Sequence, residues 1–234
     1  ENFDEGNYYY MVFDLVCGGE MFDHLVAQGA YSEADAARLV REVASALAFM
    51  HGIGIVHGDL KPENLMLSST NSSDAVIKVV DFGCAQTDDS KNLSTGGVAV
   101  NTPAYSPPEI IKSKDKQNRR IDPSFDMWAM GVILYICLTG AHPFDLQGDS
   151  TDAEIEHKIL SKQMPPLRNS PLTVHLSEDA ISVIEQLLAW NPKKRLTASQ
   201  LLENPWVTGE TARTSKMANS DRRLSYYRKF KSKL

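Results

Sequence analysis

The chain has 234 residues, 42% hydrophobic and 23% charged, an ordinary balance for a globular protein large enough to bury a core. Thirty acidic against 24 basic residues give a net charge of −6, which disfavours general nucleic-acid binding and suits basic partners. The longest apolar run, Met127 to Leu138, is too short to cross a bilayer, and Cys17, Cys84 and Cys137 match no metal-ligand spacing, so they read as free thiols of a reducing, cytoplasmic compartment.

Tyr8 to Val16 is rich in strand formers and stops at Gly18-Gly19, which predicts a buried strand running into a connector. Ser32-Glu33-Ala34-Asp35 has the form of a capping box and opens a helix to about His51, with Leu39, Val43, Ala46, Leu47 and Met50 on one face. Leu65 to Leu67 and Val76 to Val80 predict two short strands, joined by the polar loop Ser68 to Asp74. Residues 84–106 carry no periodicity and read as a long functional loop. Asp126 to Thr139 is apolar nearly all round and predicts a core helix. Further helices are expected at 151–162, 177–189 and 197–203, and no internal repeat is present.

The tail differs in character. Residues 208–234 hold eight Lys or Arg against two acids, a segment at +6, which leaves residues 1–207 at −12. Within it, Leu224, Tyr227, Phe230 and Leu234 fall on one helical stripe among basic residues. That is a basic amphipathic helix, the profile of a calmodulin target or a membrane-surface segment. A solvated basic helix or a disordered tail fits the same composition.

The chemistry is concentrated in three motifs. His57-Gly58-Asp59-Leu60-Lys61-Pro62-Glu63-Asn64 is followed seventeen residues after Asn64 by Asp81-Phe82-Gly83, and then by Pro107-Pro108-Glu109. A lone Asp-Phe-Gly carries little information, and an Asp/Asn pair is more often a cap or turn. Three motifs in this order and spacing resemble the large lobe of a protein kinase, with one residue changed in the first and one in the last. The resemblance covers residues 1 to about 207 and ends at Asn204-Pro205-Trp206.

The fold implied is α+β and protein-kinase-like: a mostly helical large lobe with a short β-strand pair. Residues 1–20 correspond to the end of the small lobe and the hinge, 21–207 to the large lobe and 208–234 to the basic tail. No lysine precedes Lys61, and Gly52, Gly54 and Gly58 do not meet the spacing of a phosphate-covering glycine loop. The small lobe is therefore expected to be largely missing from this chain, and the chain alone to be inactive. A longer parent enzyme and a truncated, inactive relative acting as a peptide-binding scaffold both remain open.

By the same resemblance, Asp59 is the catalytic base and Lys61 the clamp on the transferring phosphoryl group. Thr102 braces Asp59. Asn64 and Asp81 are Mg²⁺ ligands, and hard oxygen donors suit that ion. The hinge from Tyr10 to Glu20 and Met66 form the nucleotide site for ATP, with the backbones of Asp14 and Val16 on the purine, Phe13 as gatekeeper and Met66 beneath the ring. Asp126 is expected to hold the catalytic-loop backbone, and His57 and Phe82 to stack on each other. Glu109 and Arg195 correspond to a buried ion pair, against the alternative of a surface pair of little worth. Glu20 and Glu63 imply substrates with basic residues upstream of Ser or Thr, the alternative being two ordinary exposed carboxylates.

Lys61 and Thr102 place the resemblance with Ser/Thr kinases. The hinge, the loop at 68–74 and the tail are similar to the calcium/calmodulin-dependent group, so residues 221–234 imply an autoinhibitory segment and calmodulin as a partner. Three departures stand out. Gly58 replaces the usual arginine that pairs with a phosphorylated activation loop, so Ser94 and Thr95 lack that partner. Asn101 stands for glycine, and Pro107 for alanine.

Overall fold

The computed structural model describes residues 2–5, 8–71, 75–87, 102–113 and 121–231, with side chains from Tyr10 to Arg228. Ser94, Thr95, Asn101, Phe230 and Leu234 lie outside these residues or side chains, as does most of the 84–106 loop. The chain opens with a hairpin of β1 (Asn2–Glu5) and β2 (Tyr8–Met11), antiparallel with Phe3 opposite Tyr10. The expected strand over Tyr8 to Val16 therefore ends at Met11, and it is not buried. Phe13 is 74% and Leu15 85% exposed, because no described element packs over this segment.

Two helices follow. The first, α1 (Met21–Ala27), was not foreseen; it seats Met21, Phe22 and Leu25 in the core although Glu20 offers no side-chain cap. The second, α2 (Glu33–Gly52), starts where the capping box predicts: Ser32 Oγ accepts from the Asp35 N–H at 3.1 Å, and the Ser32 N–H donates to Asp35 Oδ2 at 2.8 Å. Such reciprocal capping satisfies two N-terminal donors that the helix itself leaves open.

The chain then makes two small antiparallel pairs. The short β3 (Ile55–Val56) meets β6 (Gln86–Thr87), a pairing the sequence did not reveal. The expected pair appears as β4 (Leu65–Leu67) and β5 (Ile77–Val79). Between β3 and β4 lies the catalytic-type loop, closed by a 3₁₀ turn at Pro62–Asn64.

The remainder is helical: α3 (Pro108–Ile111), α4 (Ser124–Thr139), α5 (Asp152–Leu160), α6 (Glu178–Leu187), α7 (Ala198–Leu202), α8 (Pro205–Thr208) and α9 (Ser220–Lys231). Every residue of α4 from Phe125 to Thr139 is buried, as its unbroken apolar sequence demands. It ends at Gly140, whose φ of 73° is the left-handed stop a glycine makes cheaply.

One continuous core joins α1, α2, α4, α6 and α7 with Leu60, Leu65 and Leu67 of the loop and strands. Glu33 acts as a polar rivet in it. Its buried carboxylate accepts from the Ser177 N–H and hydroxyl, both at 2.7 Å, and from Trp206 Nε1 at 2.9 Å, tying α2 to α6 and α8. A second cluster of Val56, Ile110, Ile121 and Phe125 sits beneath the start of the catalytic-type loop. No described helix is long and apolar enough to cross a membrane.

Candidate active site

Asp126, buried in the first turn of α4, shapes the loop from below. Its Oδ2 accepts the His57 N–H at 2.9 Å and its Oδ1 the Gly58 N–H at 3.0 Å. Its Oδ2 also lies 2.8 Å from Nε2 of His51, at the end of α2. His51 was missed in the sequence, where nothing local links it to a residue 75 positions on. His57 meets the Phe82 ring edge-on at 5.4 Å, the stacking expected of that pair, and its Nε2 lies 3.0 Å from the Val80 carbonyl.

Asp59 is held on both oxygens. Oδ1 accepts from the Thr102 N–H at 3.0 Å and the Thr102 hydroxyl at 2.7 Å; Oδ2 accepts from Lys61 Nζ at 2.6 Å. Lys61 Nζ also reaches Thr102 Oγ1 at 3.2 Å. Lys61 from the same loop and Thr102 from a separate segment thus converge on one carboxylate. Burial alone would lower the pKa of Lys61. The hydrogen bond and charge of Asp59, helped by Glu63 and Asp81, outweigh it and raise the ammonium above its usual value.

Asn64 and Asp81 fit a hard divalent cation. Asn64 Nδ2 donates to the Asp59 carbonyl at 2.8 Å, so its amide oxygen is left for a ligand. Asp81 has φ of 63°, a costly conformation for a non-glycine residue, and its Oδ1 accepts the Gly83 N–H at 3.1 Å. Strain of this kind aims a carboxylate where relaxed backbone would not. Among the described residues no group of three or more His, Cys, Asp or Glu could hold a metal. A cation here would depend on these two oxygens and on a phosphate ligand, the pattern Mg²⁺ favours.

The segment expected to be the hinge is tied to β4. The Gly18 N–H donates to the Leu67 carbonyl, and the Leu67 N–H to the Gly19 carbonyl, both at 2.9 Å, while Glu20 bridges to Met66. Met66 is half-buried, Asp14 is exposed and Val16 partly so. Gly18 has no room for a side chain: a Cβ there would come within 2.5 Å of Leu67 Cβ.

A protein kinase domain model matches residues 1–207. The chain belongs to the protein kinase family. It is 39% identical to a calcium/calmodulin-dependent protein kinase type 1 of Caenorhabditis briggsae over 214 residues, which cover 92% of this chain and 56% of the relative. It is 38% identical to the human calcium/calmodulin-dependent protein kinase type IV over 218 residues, 93% of this chain and 43% of that protein. A probable myosin light chain kinase of Dictyostelium discoideum is 41% identical over 210 residues, covering 88% and 50%. The chain thus spans about half the length of the curated relatives it matches.

Two features of this kinase domain concern one departure, Gly58, and one expected pair, Glu109 with Arg195. Gly58 has φ of 80°, and a Cβ there would fall 2.6 Å from the Cys84 carbonyl oxygen and 2.7 Å from Ile121 Cδ1. Arg195 and Glu109 form the buried pair rather than the surface one. The Arg195 side chain is fully buried, bonded through both amino groups to both Glu109 oxygens at 2.5 and 2.8 Å, and its guanidinium lies 5.0 Å from the centre of the Trp128 ring.

The tail, expected as a basic amphipathic helix resembling an autoinhibitory segment, is helical and docked on the body of the chain. Leu224 of α9 is fully buried, Tyr227 Oη lies 3.0 Å from Tyr105 Oη, and Arg228 bonds Glu20 at 3.3 Å and pairs with Asp23. Burial raises the pKa of both phenols, so the pair is neutral and shares a proton bond.

Proposed function

We propose that this chain is the catalytic large lobe of a Ser/Thr protein kinase acting on peptides with basic residues upstream of the acceptor. The observation that carries the reading is the two-residue grip on Asp59. A carboxylate held on Oδ1 by Thr102 and on Oδ2 by Lys61 is pre-aimed, and positioning supplies most of what phosphoryl transfer needs from a protein. Asp59 orients the acceptor hydroxyl and takes its proton. Lys61 stays charged across the neutral range, on the side where phosphate charge would gather. ATP with Mg²⁺, when bound, supplies the phosphoryl group and the cations that offset its charge. Asn64 and Asp81 would hold that ion, while Asp14, Val16, Glu20 and Met66 would line the nucleotide and hinge side. Glu20, Glu63 and Asp23 offer carboxylates to arginines of the substrate.

Tested on the protein that contains this chain together with a complete nucleotide site, γ-labelled ATP should phosphorylate an Arg-x-x-Ser peptide, and Asp59→Asn should abolish the transfer. Peptide binding without any turnover would move the reading to a non-catalytic scaffold.

The docking of α9 supports a second element of the reading, an internal cover. Arg228 occupies Glu20 and Asp23, the same acids proposed for substrate arginines, and Tyr227 sits on Tyr105 of the segment after Thr102. Capture of this basic helix by calmodulin, the partner named for the relatives, would uncover those acids.

A further inference from the structure

The corner after α4 is built on a histidine that neither the motifs nor the catalytic reading uses. His142 is 4% exposed and stands between two parts of the molecule. Its ring Nδ1 accepts the Phe144 N–H at 3.2 Å, and its Nε2 lies 3.1 Å from the Ala104 carbonyl oxygen. We propose that His142 is a positioning residue for the acceptor peptide: it pins the 3₁₀ turn at Pro103–Tyr105 to the corner after α4, and so fixes the rim of the site beside Asp59. The inference rests on the reading of Asp59 as the group that receives the acceptor hydroxyl.

The two contacts fix where the ring carries its hydrogen. A backbone N–H can only donate, so Nδ1 is bare; a carbonyl can only accept, so Nε2 holds the hydrogen. His142 is thus a neutral connector with a fixed tautomer and a fixed direction. Its base is rigid. The Asp145 N–H donates back to the His142 carbonyl at 3.1 Å and closes the corner. Phe144, 1% exposed, stacks on Trp128 at 6.0 Å and meets Trp190 edge-on at 6.1 Å. Trp128 belongs to α4, the helix whose Asp126 moulds the catalytic-type loop.

The other end of the pin is a single turn. The Tyr105 N–H donates to the Thr102 carbonyl at 3.1 Å, and the Ser106 N–H to the Pro103 carbonyl at 3.0 Å. The Ala104 carbonyl goes instead to His142, whose ring also meets that of Tyr105 edge-on at 5.8 Å. Thr102, two residues before Ala104, keeps its own bonds to Asp59 and Lys61. A peptide whose hydroxyl reaches Asp59 must pass this half-buried turn.

The two residues therefore divide the work. Thr102 aims the carboxylate, while His142 sets where the turn stands against the core. Losing the His142 contact loosens the seat of the peptide and leaves Asp59 aimed.

Two substitutions separate the ring nitrogens. The amide N–H of His142→Gln can reach where Nε2 lies, whereas the side-chain oxygen of His142→Asn takes the place of Nδ1 and keeps only the Phe144 bond. Both are made in the protein that contains this chain together with a complete nucleotide site, with ATP, Mg²⁺ and an Arg-x-x-Ser peptide as probes. In His142→Asn the peptide KM is expected to rise about tenfold, with kcat and the ATP KM within about twofold of wild type. In His142→Gln the peptide KM should return to within about threefold of wild type. Amide hydrogen exchange at Tyr105 and Ser106 should rise by about tenfold in His142→Asn alone. Nitrogen NMR of the wild type should show His142 with its hydrogen on Nε2. Equal exchange in all three proteins overturns the pin, as does a hydrogen on Nδ1. Faster exchange with an unchanged peptide KM overturns the role in peptide binding and leaves a purely structural contact. Equal loss in both variants, kcat included, does the same. A wild type with the slow exchange and the Nε2 hydrogen but no turnover of peptide refutes the kinase reading; the peptide role then falls with it, and the pin stands.

Discussion

Thr102 earns its place through one oxygen atom. Its hydroxyl donates to Asp59 Oδ1 at 2.7 Å and accepts from Lys61 at 3.2 Å, while its backbone N–H holds the same Asp59 oxygen independently. Thr102→Val keeps the shape and the backbone bond but loses both hydroxyl contacts. We expect kcat to fall by about ten- to a hundredfold with KM for ATP unchanged, since a small misplacement of a catalytic group costs that much. Steady-state kinetics on the protein with a complete nucleotide site would check it, and an unaltered kcat would remove Thr102 from the grip on Asp59. At Gly58 the argument runs through space rather than bonds. A positive φ and two atoms crowding the place a Cβ would take make this position hostile to a side chain, which fits the absence of arginine there.

Among the elements, α4 does the most to organise the site, because Asp126 at its start turns a helix into a mould for the loop. Asp126→Ala would strand two buried N–H groups, those of His57 and Gly58, and remove the partner of His51. A loss of about 3 kcal/mol in urea unfolding is expected, with a smaller loss for Asp126→Asn, which keeps one acceptor. A loss under about 1 kcal/mol would mean the loop holds its shape unaided. Legibility also divides at this scale. The capping box at Ser32 and the apolar run of α4 are local signals, and both helices were readable within two residues of their observed bounds. The short α1 and the two-residue strands β3 and β6 were not, because so few residues make no period and their form depends on distant partners. The burial of Tyr8 to Val16 was misjudged for the converse reason. Apolar composition says what a segment prefers, not whether a neighbour lies over it. Motif order disclosed Asp59, Lys61, Asn64, Asp81 and Thr102. Nothing in the sequence joined Tyr227 to Tyr105, or Arg228 to Asp23, across such separations.

Across the whole molecule the three thiols report three depths. Cys17 is exposed, Cys84 partly so and Cys137 buried. Burial pushes the Cys137 thiol from 9.0 up to about 12, against a smaller lowering by the hydrogen bond with Tyr31. A raised folded pKa means the native state keeps its proton longer than the unfolded chain. Its contribution to stability is therefore fully present below about pH 9 and is lost as pH climbs toward 12. A thiol reagent should label Cys17 first, Cys84 more slowly and Cys137 only with unfolding. The urea midpoint should also fall more steeply above pH 9 in the wild type than in Cys137→Ala. Prompt labelling of all three thiols in the folded protein would contradict the packing of Cys137 against Tyr31.

The aromatic cluster of the large lobe has an optical consequence. Trp128 and Trp190 meet at a tilt with ring centres 5.3 Å apart, Phe144 stacks on Trp128 at 6.0 Å, and Trp206 donates its indole N–H to Glu33. These three are all the tryptophans of the chain, and none lies in the hinge, the Asp59 grip or α9. Native ultraviolet emission is thus a lamp set at the core, away from the nucleotide site. A dye on Cys17 would be lit or dimmed by the hinge instead, so two colours would separate opening of the lobe from events at its edge.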